Sequence, residues 1–177
     1  MHCADHYLFR KTFAYEASAR VPLLMSMPAS FDFPPDQVSN TPVCLEGITP
    51  TVLDLAGCEI PENVDGKSLV PLLRGDDAPD VRDVLHDEHA CCYDNVFNNH
   101  FLTDGREKYI RLSHTGQELL FDLENDPLEM QNLAADDART KTWRDRMIDE
   151  LKDRQEGFVE GGKLVAGKTH VPIPPTV

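Results

Sequence analysis

The sequence predicts an α/β fold in two parts. Residues 1–75 read as the edge of an α/β domain, and residues 81–156 as a small subdomain with a four-stranded antiparallel sheet and one packed helix. Three observations carry this. A short apolar run at 21–27 precedes a well-marked helix at 49–57, the strand-then-helix order of an α/β edge. Four strand-like runs follow residue 80, the last three separated by Asp104-Gly105 and Thr115-Gly116, dipeptides that close hairpins. Last, Trp143, Met147 and Leu151 recur at the spacing that puts an apolar stripe on one helix face.

Taken in order, residues 1–20 mix polar, charged and aromatic side chains without a period of 2 or 3.6, and read as loop. The run 21–27, ended by Pro28, has the continuous apolar character of a strand covered on both faces. Pro34 and Pro35 mark a polar loop. In the helix at 49–57, Thr49 can cap, Pro50 suits the first helical position and Gly57 ends it. Asp65-Gly66 supplies a turn before a short helical segment that ends near Leu73. The acidic stretch 74–80 marks the boundary between the parts. The strands are placed at 81–89, 99–103, 107–112 and 118–123, and the amphipathic helix at 136–155. Residues 157–177, rich in Gly and Pro, read as an extended tail.

Composition narrows the partners. An apolar fraction of 41% is that of a folded chain. A net charge of −14, from 31 acidic against 17 basic residues, repels phosphate backbones and anionic lipid, so neither nucleic acid nor a membrane surface is expected as a partner. No run approaches the ~18 apolar residues of a membrane span. Met1-His2-Cys3-Ala4-Asp5-His6 has neither the cationic start nor the apolar core of a secretory leader, and the chain reads as beginning inside a larger fold, which leaves its compartment open. The five cysteines have no C-x-x-C spacing, so reduced, mostly buried thiols are expected.

Two stretches carry a family resemblance. Asp5-His6-Tyr7 followed by Lys11, Tyr15-Glu16 and Arg20-Val21-Pro22-Leu23 resembles G-D-[HN]-G…K-x-x-x-Y-E-x-x-x-R-V-P-L of the sulfatase family in the alkaline phosphatase superfamily. Glu118-Leu119-Leu120-Phe121-Asp122-Leu123, continuing through Asp126-Pro127, Glu129 and Asn132-Leu133, is similar to that family's E-L-Y-D-L-x-x-D-P-x-E-x-x-N-L. Pro50-Thr51-Val52-Leu53-Asp54-Leu55-Ala56-Gly57 and Asp65-Gly66-Lys67-Ser68-Leu69 match between them, in order. The resemblance implies an alkaline-phosphatase-like α/β domain, of which residues 1–75 would be the C-terminal end, followed by a small antiparallel subdomain. It implies hydrolysis of sulfate esters of a small molecule or glycan, with a divalent cation, Ca²⁺ by type, and a formylglycine nucleophile matured in C/S-x-P-x-R. That motif is missing here: the residues two after each cysteine are Asp5, Glu46, Ile60, Tyr93 and Asp94. By this reading the chain is a C-terminal portion that contributes binding residues without the nucleophile and is inactive alone.

Carried over residue by residue, the resemblance makes Asp5 a metal ligand, whose carboxylate suits a hard cation. His6 stands beside it as a further ligand or as a catalytic donor to a sulfate oxygen or leaving group. Lys11 matches the sulfate-binding lysine, and its three N–H donors suit a tetrahedral oxyanion. Ala4 and Tyr7 stand where many relatives have Gly. Glu16 and Arg20 are at ion-pair spacing and read as structural, as does the acidic turn of Asp122, Asp126 and Glu129. His86 and His89, with Glu88, are candidates for the substrate pocket, although strand alternation sends neighbours to opposite faces. Two alternatives remain: a phosphonate or phosphodiester hydrolase of the same superfamily, since the same cation and lysine serve phosphoryl groups, and a non-catalytic truncated chain that self-associates through exposed apolar surface.

Overall fold

The computed structural model describes residues 2–3, 5–11, 13–75, 82–90 and 94–168, without the side chains of His2, Cys3, Asp5, Phe9 and Arg10. The chain folds as two compact units, Leu23–Leu85 and the combination of Met1–Pro22 with His86–Val177. The first 22 residues therefore belong with the sheet subdomain, not with residues 23–75 as the sequence grouped them.

In the sheet unit, β1 (His2–Cys3) and β2 (Phe9–Arg10) pair antiparallel and bring the two sides of the N-terminal loop together. The one-turn helix α1 (Glu16–Ala19) follows.

In the unit Leu23–Leu85, residues 23–27 form no strand and Leu24 is 91% exposed. A buried parallel strand needs neighbours on both sides, and no strand among the described residues pairs with it. A 3₁₀ turn, Leu45–Gly47, leads straight into α2 (Ile48–Leu55). The helix thus starts before the predicted Thr49 cap. Thr51 instead holds the corner, its hydroxyl donating to the Gly47 carbonyl at 2.5 Å and accepting from the Leu69 N–H at 2.8 Å. Gly57 ends the helix as expected, at φ 67°, and the Cys58 N–H reaches back to the Leu53 carbonyl at 2.9 Å. Gly66 lies so close to Glu46 that a Cβ there would meet its carbonyl oxygen at 1.9 Å. The unit's second helix is α3 (Val70–Arg74). Cys44 is half-buried and Cys58 exposed, both free thiols, so the expected burial of the cysteines does not hold for Cys58.

The main sheet has the order β3 (Leu85–His89), β4 (Asn99–Thr103), β5 (Glu107–Leu112), β6 (Glu118–Asp122). Both predicted turns are present, with Gly105 at φ 85° and Gly116 at φ 79°, left-handed conformations that disfavour a Cβ. Register sets Phe101 opposite Ile110 and Ile110 opposite Leu119, on one face. Leu102, Tyr109 and Leu120 align on the other. On the first face Ala14 joins Ile110, Leu112, Leu119 and Phe121, with Phe13 and Tyr15 beside them, so residues 13–15 of the predicted loop form a core layer. The opposite face receives α4 (Asp137–Leu151), which buries Thr140, Trp143, Met147 and Leu151. Each large apolar side chain removed from water here contributes on the order of 1.5–3 kcal/mol. Asp136 caps α4 by accepting from the Arg139 N–H at 3.2 Å, and Arg139 and Trp143 both bond Glu107 on β5. Of the predicted tail, residues 158–164 are not simply extended, and residues 169–177 lie outside the described residues. Phe158 is 2% exposed, and β7 (Val159–Glu160) pairs with β8 (Lys163–Leu164) in a short hairpin.

Candidate active-site loop and cavity

Between β1 and β2 the chain turns through a 3₁₀ segment, Asp5–Tyr7, so the predicted metal-site residues sit at the tip of a small hairpin. His6 has φ 50° and Tyr7 φ 59°, both left-handed. Glycine adopts that conformation freely, whereas a residue with a Cβ resists it. Tyr7 itself is 95% exposed. The His6 ring stacks on Tyr15 with centroids 3.9 Å apart and planes 4° from parallel. Its Nε2 lies 2.9 Å from the Leu128 carbonyl. A carbonyl only accepts, so Nε2 donates in this contact, and in the neutral ring Nδ1 then has the lone pair. The Asp5 side chain, the predicted metal ligand, lies outside the described residues.

The loop is anchored by a buried ion cluster. The Lys108 ammonium, from the middle of the sheet, is 2.5 Å from Glu16 Oε1 and 3.2 Å from Glu129 Oε1, and donates to the Ala14 carbonyl at 2.9 Å. Glu129 accepts from the Glu16 N–H at 2.6 Å. Lys108 is fully buried and Glu129 is 3% exposed. One residue from each of the two resembling stretches thus meets on one lysine. Burial pushes the Glu129 carboxyl above the usual carboxylate range, with Lys108 pulling the other way. Burial, then the charge of Glu129, likewise raises the Tyr15 hydroxyl. Glu16 also lies 3.7 Å from Arg20, which fits the structural role read for both. The sequence pointed to Glu16 and Glu129 but not to Lys108, whose only signal was a lysine at an inward strand position.

Beside this anchor is an open cavity of about 140 Å³. Lys11, Phe13 and Ala14 line it from the N-terminal segment, Asp87, Glu88 and His89 from β3, and Asn99 and Phe101 from β4. Lys11 and His89, predicted to contact substrate, therefore share one cavity. His86 does not line it. Strand alternation turns His86 away, where its Nε2 lies 3.1 Å from His100 Nδ1 and its Nδ1 3.4 Å from Glu150 Oε1. The sequence reading did not single out His100. Burial lowers the His86 imidazole, with Glu150 and Glu88 opposing.

The family model for N-sulphoglucosamine sulphohydrolase, C-terminal, matches residues 4–157. An arylsulfatase of Clostridium perfringens is 36% identical over 92% of this chain, and arylsulfatase K of Homo sapiens is 39% identical over 73% of it. The chain spans about a third (34%) of the first relative's length and a quarter (25%) of the second's. Among solved structures, the 2-O glycosaminoglycan sulfatase BT1596 superposes with a TM-score of 0.54 and 29% identity, covering 62% of this chain and 24% of that one. BT4656, in complex with D-glucosamine-2-N,6-O-disulfate, shares the fold at TM-score 0.53 and 23% identity over 60% of this chain and 23% of that one. Fold and motifs together define a C-terminal portion of the alkaline-phosphatase-like hydrolases. Within that class the chain belongs to the sulfatase family.

Proposed function

We propose that this chain forms the C-terminal part of a sulfate-ester hydrolase site, in which Lys11 grips the sulfate, Asp5 with His6 holds a divalent cation, and His89 contacts the rest of the substrate. The observation that carries the reading is the shared cavity of Lys11 and His89, with the loop that presents Lys11 fixed by Glu16 and Lys108. Among the described residues, Lys11 is the only Lys or Arg that lines the cavity, against Asp87 and Glu88. Both acids have local partners: Asp87 accepts from the Glu88 N–H at 2.7 Å, and Glu88 lies 3.1 Å from Arg154. A sulfate ester carries one negative charge, and its leaving oxygen gains more as the bond breaks, so one ammonium beside two carboxylates supplies too little positive charge. A divalent cation, Ca²⁺ by the hardness of the Asp5 carboxylate, would supply it by neutralising sulfate oxygens.

Lys11 would hold the sulfate in place and offset negative charge as the S–O bond breaks and its electron pair goes to the leaving oxygen. His6, with Nε2–H committed to Leu128, offers Nδ1 either to the cation or to a proton at the leaving oxygen. The nucleophile is a formylglycine contributed from outside these residues, in keeping with the missing C/S-x-P-x-R. The relatives' names, arylsulfatase and glycosaminoglycan sulfatase, favour an aromatic or glycan sulfate as substrate. Calorimetric titration of the chain with Ca²⁺ and then sulfate tests the binding half. Calcium-dependent sulfate binding that falls at least ~10-fold in Lys11→Ala, with calcium binding lost in Asp5→Ala, is expected. Sulfate binding indifferent to both substitutions would refute the reading.

A further inference from the structure

We propose that His86, Glu88 and His100 form a second metal site, for a zinc-like transition ion, with both imidazoles outside the Lys11 cavity whose lining Glu88 shares. The three side chains offer one ligand atom each, all within 4.8 Å of one another. His86 Nε2 and His100 Nδ1 are 3.1 Å apart, and His100 Nδ1 is 3.4 Å from Glu88 Oε2. Zn–N bonds of about 2.0–2.1 Å in a regular tetrahedron put neighbouring ligands about 3.3–3.4 Å apart, so these two edges already have the size such an ion requires. Two imidazoles and a carboxylate suit zinc or its neighbours and not a hard ion such as calcium.

The surroundings supply the outer contact that such sites use. When His86 binds through Nε2, its proton moves to Nδ1, and Nδ1 faces Glu150 Oε1 at 3.4 Å. A carboxylate behind a ligating imidazole fixes its tautomer and orientation. Arg154 lies beside the cluster, 3.1 Å from Glu88 Oε2, and Glu156 holds the same guanidinium at 2.8 Å, so Arg154 keeps a partner when Glu88 turns to an ion. His100 is fully buried while the Glu88 side chain is 34% exposed, which gives the ion an entry from solvent. The site would tie the edge strand β3 to β4 and steady the strand that presents His89 on the other face.

The test is zinc titration of the chelator-stripped chain by calorimetry, with cobalt(II) spectroscopy to identify the ligands. One equivalent of zinc should bind, and cobalt should show tetrahedral d–d bands without a thiolate charge-transfer band. His86→Gln and Glu88→Gln should each weaken zinc at least ~10-fold. Asp5→Ala should leave zinc affinity unchanged, which separates this site from the proposed calcium site. Absence of saturable zinc binding, affinity unchanged in both ligand variants, or a thiolate band placing the ion on cysteine would overturn the proposal. Should either variant misfold, the wild-type chain decides: zinc must shift the ring-proton resonances of His86 and His100, and unshifted rings would also overturn it.

Discussion

Lys108→Met is the most informative substitution for the fold, because it tests whether one buried ammonium joins the N-terminal segment to the sheet. Methionine fills most of the lysine's volume, so the change removes charge with little cavity. Left behind are Glu129, 3% exposed, Glu16, whose side chain is 20% exposed, and the Ala14 carbonyl, all of which had faced the ammonium within 3.2 Å. Breaking a buried pair by removing one partner costs about 3–5 kcal/mol, mostly the penalty of the stranded charge. Against the 5–15 kcal/mol typical of a domain, that is a large share. At about 2–4 °C per kcal/mol for a chain of this size, Tm should fall by roughly 6–20 °C. Trp143, the sole tryptophan and 2% exposed, reports unfolding in urea by fluorescence. Adding Glu129→Gln to Lys108→Met should recover ~1–3 kcal/mol by removing one stranded carboxylate. A loss under ~1 kcal/mol for Lys108→Met would refute the anchor.

Three further outcomes follow from particular groups. Glu129 and Glu118 should give opposite pH dependences. Burial raises Glu129, so its contribution is present below the ordinary carboxylate range and is lost as pH rises through the raised value; wild type should lose stability relative to Glu129→Gln between pH 4 and 7 in chemical denaturation. Burial would raise Glu118 too, but hydrogen bonds from Arg144 and Tyr109 outweigh it and lower the carboxyl, so wild type should gain on Glu118→Gln as pH rises from 3 to 5. Tyr7→Gly should stabilise the chain by ~1 kcal/mol in thermal melts, since Tyr7 is held at φ 59° and is almost wholly exposed. Gly66→Ala should destabilise the Leu23–Leu85 unit by about 1–3 kcal/mol or more, read as lost amide protection around Glu46, because the new Cβ meets backbone and not a flexible side chain.

Local chemistry made much of the fold legible. The hairpin turns at Gly105 and Gly116, the α4 stripe of Trp143, Met147 and Leu151, and the Gly57 helix end all follow from rules that act within a few residues. What could not be read was tertiary. Residues 13–15 look like loop because only three of them meet the sheet, too few to show a period. Lys108 looks like an ordinary exposed lysine until Glu16 and Glu129 arrive from distant parts of the chain. The run 21–27 has a strand's composition, but composition does not provide the neighbouring strands. At the site, Lys11 and His89 were named from the sequence, yet their common cavity depends on the N-terminal segment lying along the sheet. His100 was passed over because one histidine in an apolar strand is unremarkable until His86 faces it from the next.

The central claim is that Lys11 is the hand that holds sulfate during ester cleavage. The direct measurement uses a chimera in which this chain replaces the matching third of the Clostridium perfringens arylsulfatase, assayed with a chromogenic aryl sulfate. The folded chimera should turn over, and Lys11→Ala within it should lower kcat/KM by about 10²–10³-fold, the scale of losing one charge-stabilising donor. A folded chimera that cleaves the ester equally well with alanine at position 11 would contradict the account.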